Sequence, residues 1–195
     1  MSHLFAYLSR MKLITRWPLM HNVRIENVQE HSLQVAMIAH GLALIENCNF
    51  DGNYDAYKVA VIALFHDASE VFTGDMPTPV KYFNKNIESE YKKIESVANE
   101  RLLSMVPNEL NLAYREVIDG QCLSDAEQKL VKAADTLSAY LKCIEEIRFG
   151  NHEFEPAYKR LKRLISQHEL SSVHYFVESY IPSFHMSFDE MNREL

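Results

Sequence analysis

Apolar side chains recur at helical spacing through almost the whole chain, and little interrupts them. Only 5 glycines and 6 prolines fall among 195 residues, too few for the turns of a β-rich architecture. The expected class is all-α. With 47% hydrophobic and 24% charged residues, the chain can build one real core. No repeat, low-complexity tract or linker divides it, so residues 1–195 read as a single domain. The longest apolar run, Val59 to Phe65, is far too short to cross a bilayer. Met1 to Arg10 lacks the apolar centre and small cleavage-site residues of a secretory signal. Cys48, Cys122 and Cys143 are odd in number and never form a C-x-x-C pair, so they read as reduced, buried thiols of a cytoplasmic protein.

Capping and breaking residues place the helices. A first helix is expected over Leu4 to Thr15, ending before Trp17-Pro18 because a residue preceding proline disfavours helical geometry. Asn27 and Glu30 have capping-box spacing and open a helix through Leu33, Met37, Leu44 and Ile45, with His31 near its start. After the Asp51-Gly52-Asn53 turn, a helix from about Tyr54 delivers His66 and Asp67 at its C-terminal end. The two prolines of Thr73 to Pro79 imply a stiff irregular loop. A long helix then runs from about Asn84 to Met105. Ser124 and Glu127 form a second capping box, starting a helix striped with Leu130, Val131, Ala134, Leu137, Leu141, Ile144 and Ile147 and stopped by Gly150. Helices over Glu153 to His168 and Ser172 to Tyr180 complete the expectation.

Charge narrows the partners. A net −7, from 20 Lys plus Arg against 27 Asp plus Glu, is a poor basis for gripping a nucleic acid polymer. A small phosphate monoester remains compatible if a metal ion and a few local cations supply positive potential at one spot.

His31, the adjacent His66 and Asp67, and Asp135 offer imidazole and carboxylate ligands without thiolate, a mixture suited to manganese, iron, cobalt, nickel or zinc. Two imidazoles and two carboxylates would leave positions open for water and substrate, as catalytic sites do. Plainer readings exist for each residue. Asp135, at the margin of an apolar stripe, would be expensive to bury alone and could simply pair with a nearby Lys or Arg. His31 alone could be a structural or capping histidine. Two polar residues directly after a buried run, with an inward Asp elsewhere, favour a shared ion over separate solutions.

The order His…His-Asp…Asp resembles the HD-domain superfamily of metal-dependent phosphohydrolases. Surrounding segments are similar to one branch, the bacterial 5′-deoxynucleotidases: Leu8-Ser9-Arg10, Arg16-Trp17-Pro18-Leu19, Glu30-His31-Ser32 and His66-Asp67-Ala68-Ser69-Glu70. Gly74 to Asn84, Lys132-Ala133-Ala134-Asp135 and Pro182-Ser183-Phe184-His185 continue the likeness, with Met76 standing where Leu is the family's residue. The resemblance implies a single compact HD-domain helical bundle that is a homodimer. It implies one divalent ion, cobalt or manganese, on His31, His66, Asp67 and Asp135. It makes Glu70 a catalytic carboxylate acting on water or on the leaving oxygen, where the plain alternative is a surface Glu. Asp75 would bind the sugar 3′-hydroxyl or join the proton transfer, unless it merely forms a turn. Arg16 would orient the phosphate, a task suited to a permanently charged planar group; otherwise it is a cation well placed at a helix end. Trp17 would press against the nucleotide and exclude a ribose 2′-hydroxyl. The same resemblance puts His31, Asp67, Met76, Pro77, Thr78, Lys81 and Asp135 within reach of substrate, although an exposed lysine is the safer reading of Lys81.

The implied reaction is hydrolysis of deoxyribonucleoside 5′-monophosphates to deoxynucleoside and inorganic phosphate, with broad base tolerance. Its rivals are another HD phosphohydrolase, acting on cyclic diesters or nucleoside triphosphates, and a non-catalytic nucleotide sensor on the same fold.

Overall fold

In the computed structural model, which describes residues 1–193, helices account for nearly all regular structure. The one extended pairing among the described residues is an isolated antiparallel bridge between Thr15 and Asn27. The cysteine expectation needs correction: Cys143 is buried, but Cys48 and Cys122 are exposed.

The first helix is shorter than its apolar spacing suggests. α1 spans Leu4–Leu8 and passes into a 3-10 stretch over Ser9–Leu13. Helical geometry stops at Ile14 because backbone groups there have other partners. The Ile14 carbonyl accepts from Val28 N–H, and Arg16 N–H donates to the Glu26 carbonyl. These two bonds close residues 14–28 into a loop rooted on the next helix.

That helix, α2, runs over Val28–Asn49 and starts with the expected capping box between Asn27 and Glu30. Its buried face includes Val35, Ala36, Ala39, Leu42, Ala43 and Ile45, whereas Leu33, Met37 and Leu44 are exposed. The helix is apolar on two sides, so periodicity alone does not say which one meets the core. α3, Ala56–Phe65, is capped by Asp55 and packs along α2. Two short helices follow, α4 at Glu70–Thr73 and α5 at Thr78–Lys81. Thr73 to Pro79 is thus irregular only between Gly74 and Pro77; Pro79 falls in the first turn of α5, where its missing donor costs nothing.

α6 spans Lys85–Leu103 and α7 Asn111–Asp119, the latter an element that the sequence reading did not anticipate. α8, Asp125–Arg148, carries the Ser124–Glu127 capping box and ends at Gly150, whose φ of +87° suits a residue without Cβ. α9 (Glu155–Ser166), α10 (Ser171–Ser179) and α11 (Phe188–Arg193) follow. The last two positions of the expected 1–195 domain lie outside the described residues.

Two apolar clusters organise the packing. The larger joins α2, α3, α8, α9 and α10 through residues such as Leu42, Val59, Leu130, Leu137, Leu161 and Val173. The smaller joins α1, α6 and α7 through Leu4, Leu102, Leu103 and Ile118. Ala63 belongs to the first and Ala68 to the second. His66 and Asp67 therefore sit on the seam between them.

Candidate metal centre

Three helices deliver the expected ligands. His31 lies at the start of α2, fully buried. His66 caps the C-terminus of α3, and its ring Nδ1 lies 2.7 Å from the Ala63 carbonyl. That oxygen can only accept, so Nδ1 carries a proton, and in the neutral ring Nε2 keeps the lone pair. Asp135 projects from the middle of α8. The donor atoms of His31, His66 and Asp67 all lie within 4.8 Å of one another. Asp135 stands just outside that trio, with Oδ1 3.2 Å from His31 Nε2. Asp67 Oδ2 is 3.1 Å from His66 Nε2 and 3.6 Å from His31 Nε2.

Both Nε2 atoms are buried without a hydrogen-bond partner. Orphaned buried nitrogens facing carboxylates are what a divalent ion would satisfy, so the donor set fits one. The plainer reading of Asp135 is also partly realised, since Lys132 Nζ lies 3.7 Å from Oδ2. That lysine is largely exposed, and such a pair contributes little.

The electrostatics are those of crowded acids and bases. Burial opposes charge on His66, but Asp67 beside it, with Asp135 behind, outweighs this and pushes its pKa up to about 9. Burial would likewise raise Asp67, yet His66 and His31 hold it down at about 2. Burial would raise Asp135 too, yet the adjacent His31 and the charge of His66 carry it far below the usual carboxylate range. Without an ion, the His66–Asp67 pair favours separated charge.

The helix does not persist beyond Phe65 to aim Glu70 by i,i+4 spacing. Instead Ala68 N–H bonds the Phe65 carbonyl, and Glu70 N–H bonds that of Asp67. These tight turns still carry Glu70 into the interior, where Oε2 is buried and unpartnered. Burial, followed by repulsion from Asp67 and Asp75, pushes its pKa up to about 9. The surface-Glu reading is excluded.

Arg16 lies in the closed loop at the mouth of the cluster. Its Nε donates to Glu26 at 3.1 Å, and Nη1 is 3.6 Å from Asp67 Oδ2. Burial weakens its charge, but Asp67, Glu26, Asp135 and Asp75 more than compensate and raise its pKa. Trp17 follows with φ +55°, its indole 5.3 Å from the Phe154 ring and Nε1 buried without a partner. Asp75 accepts the Trp17 backbone N–H at 3.2 Å; burial raises its pKa against the pull of Arg16.

Lys81 is neither exposed nor free: Nζ bonds Glu95 at 2.9 Å and lies over the Tyr91 ring. Met76, Pro77 and Thr78 link α4 to α5, and no hydrogen bond among the described residues joins their side chains to the cluster. Glu26 escaped the sequence reading, having no motif to mark it. So did a buried clamp beneath the Arg16–Trp17 loop. There Glu146 pairs with Lys142 and accepts from Val23 N–H at 2.8 Å, Arg24 N–H at 3.2 Å and Asn151 Nδ2 at 2.7 Å.

Comparison with known proteins is consistent with this arrangement. Residues 3–184 match the family described as 5′-deoxynucleotidase YfbR-like. The chain is similar to a 5′-deoxynucleotidase of Shewanella oneidensis, 55% identical over 195 residues and covering 100% of both chains. It is equally similar to 5′-deoxynucleotidase YfbR of Escherichia coli, 55% identical over 193 residues, 99% of this chain and 97% of the other. Among solved structures, an HD-domain phosphohydrolase from Listeria innocua superposes with TM-score 0.81 at 26% identity, covering 96% of this chain and 90% of its own. A cyanophage S-2L HD phosphohydrolase, bound to dA and one catalytic zinc ion, shares the fold at TM-score 0.62 and 17% identity, covering 91% of this chain and 96% of its own.

Proposed function

Because the chain belongs to the YfbR-like 5′-deoxynucleotidase family, we propose a specific form of that hydrolytic activity for it. The enzyme is a 5′-deoxynucleotidase. In the proposed form it requires one divalent ion, tolerates all bases and rejects ribonucleotides. The carrying observation is the pair of orphaned Nε2 atoms beside Asp67, within reach of a buried arginine.

His31, His66, Asp67 and Asp135 would hold the ion, with cobalt and manganese as the favoured metals. When bound, the ion lowers the pKa of a water molecule and offsets phosphoryl charge. Arg16 orients the phosphate: Glu26 takes Nε, leaving the two terminal nitrogens without a close hydrogen bond. Glu70, held protonated by burial, gives its proton to the leaving 5′-oxygen. Asp75 takes the sugar 3′-hydroxyl with the oxygen not bonded to Trp17, and the Trp17 indole blocks the 2′ position. Met76, Pro77 and Thr78 form the outer wall. Lys81 contributes only long-range potential, given its bond to Glu95.

The test is phosphate release from dAMP and AMP after chelation, repeated with cobalt or manganese added. Metal-restored release from dAMP alone is expected. Equal release from both sugars would remove the selectivity, and full activity in chelator would remove the ion.

A second copy of the chain is the proposed partner. Leu33, Met37 and Leu44 on α2 and Tyr57, Val61 and Leu64 on α3 are exposed. His40 meets Tyr57 at 5.7 Å, and Leu33 and Leu64 line one groove of about 630 Å³, so the two stripes are continuous. Met37→Glu should shift the sedimentation coefficient from dimer to monomer. No helix among the described residues is long and apolar enough to cross a membrane. Exposed free thiols at Cys48 and Cys122 suit the reducing cytoplasm, the proposed location.

A further inference from the structure

His31 on α2 has a supporting chain that no motif marks. His31 and Gln34 are three residues apart on α2, and Asp135 and Ser138 are three apart on α8, so each pair shares a helix face. Facing one another, they interlock. Asp135 Oδ1 lies 3.2 Å from His31 Nε2, Ser138 Oγ lies 3.0 Å from His31 Nδ1, and Ser138 Oγ lies 2.7 Å from Gln34 Oε1. His31 and Ser138 are fully buried, so water does not compete for the two bonds through Ser138 Oγ.

We infer that Ser138 and Gln34 are positioning residues that fix the tautomer of His31 for metal binding. A serine hydroxyl has one proton to give. Gln34 Oε1 takes it, so toward His31 the same oxygen can only accept, and Nδ1 must be the protonated ring nitrogen. Nε2 then presents its lone pair to the cluster. The Ala63 carbonyl does the same directly for His66. Both histidines thus keep a proton on Nδ1 by different routes, a fixed backbone acceptor for one and a relayed side-chain acceptor for the other.

Gln34 is what gives the relay its direction. It also lines a small cleft of about 160 Å³ with Arg24, Glu26, Glu30, Lys142 and Glu145. The amide oxygen is the atom turned to Ser138, and the three carboxylates of the cleft outnumber its two cations. Without that oxygen, the hydroxyl is free to donate to Nδ1, which would move the ring proton to Nε2 and block the metal. Partners that hold a metal-binding histidine in this way are worth about 10–100-fold in metal affinity.

The inference rests on the proposed metal centre, and calorimetric titration with manganese separates the two. A parent protein that binds no manganese overturns the metal centre and this inference with it. With binding by the parent established, Ser138→Ala and Gln34→Met are expected to weaken it by ~10–100-fold, with unchanged circular dichroism. Gln34→Glu, which keeps an acceptor oxygen, is expected to bind at least as tightly as the parent. Parent-like affinity in Gln34→Met overturns the inference even if Ser138→Ala does not fold. Independently, nitrogen-15 spectra of the zinc-loaded protein should show the His31 ring proton on Nδ1. A ring proton on Nε2 would overturn it.

Discussion

The Trp17 backbone N–H donates to the Asp75 carboxylate at 3.2 Å, and does so from a left-handed conformation of φ +55°. A non-glycine residue there carries strain of about 1–2 kcal/mol. Several bonds hold it. Met20 N–H and Asn22 Nδ2 both donate to the Trp17 carbonyl, and the indole rests near Phe154. If this fixed ring is the wall against ribose, Trp17→Ala should raise the AMP-to-dAMP ratio of kcat/KM by ~10–100-fold. An unchanged ratio in a paired phosphate-release assay would place the wall elsewhere.

Arg16 tests whether shape or charge matters at the phosphate. Its guanidinium is buried and braced by Glu26, with terminal nitrogens in a planar fork. Arg16→Lys keeps the charge and loses the fork, so kcat/KM for dAMP should fall by ~10²-fold. A loss under threefold would mean that simple charge is enough.

Glu70 should separate binding from turnover. Oε2 has no partner in the interior, and burial with neighbouring acids holds the group protonated through neutral pH. Glu70→Gln keeps the shape but cannot transfer a proton, so kcat should drop by ~10²–10⁴-fold while manganese affinity stays at the parent value. Near-normal kcat would take Glu70 out of the mechanism.

The Lys142–Glu146 clamp predicts a pH-dependent stability difference. Burial would raise the Glu146 pKa, but the bond to Lys142, the Val23 and Arg24 N–H groups and Asn151 bring it down to about 2. A carboxylate depressed in the folded state stabilises fully above its unfolded pKa of ~4.3 and loses that contribution as pH falls through the folded value. Glu146→Gln strands a buried ammonium and should cost ~3 kcal/mol in urea unfolding at pH 7. The gap between variant and parent should narrow from about pH 4.3 downward. A gap independent of pH would assign the loss to packing.

Local signals in the chain located most elements, because caps and stops act over three or four residues. The Asn27–Glu30 and Ser124–Glu127 boxes and the Gly150 stop are where spacing puts them. Long-range partners were not readable. The early end of the first helix depends on backbone bonds from Ile14 and Arg16 to residues 26–28. The sidedness of α2 depends on which of two apolar stripes meets α3 and α8. At the site, the HD order pointed to His31, His66, Asp67 and Asp135 as one set; the fold brings the first three within 4.8 Å of one another and sets Asp135 against His31. Glu26, Lys142 and Glu146 stayed hidden because lone charged residues on helices and loops ordinarily face solvent, and only tertiary packing buries these.

The seam between the two apolar clusters has a consequence for how this protein meets heat and metal starvation together. Imidazoles and carboxylates from the start of α2, the end of α3 and the middle of α8 converge only once those segments have docked. An ion captured there is therefore a late rivet across the whole architecture. At a hundredfold excess over its dissociation constant, such a rivet adds about 2.7 kcal/mol to the folded state. Cellular metal supply would then govern not only how fast the enzyme turns over but how long each molecule survives.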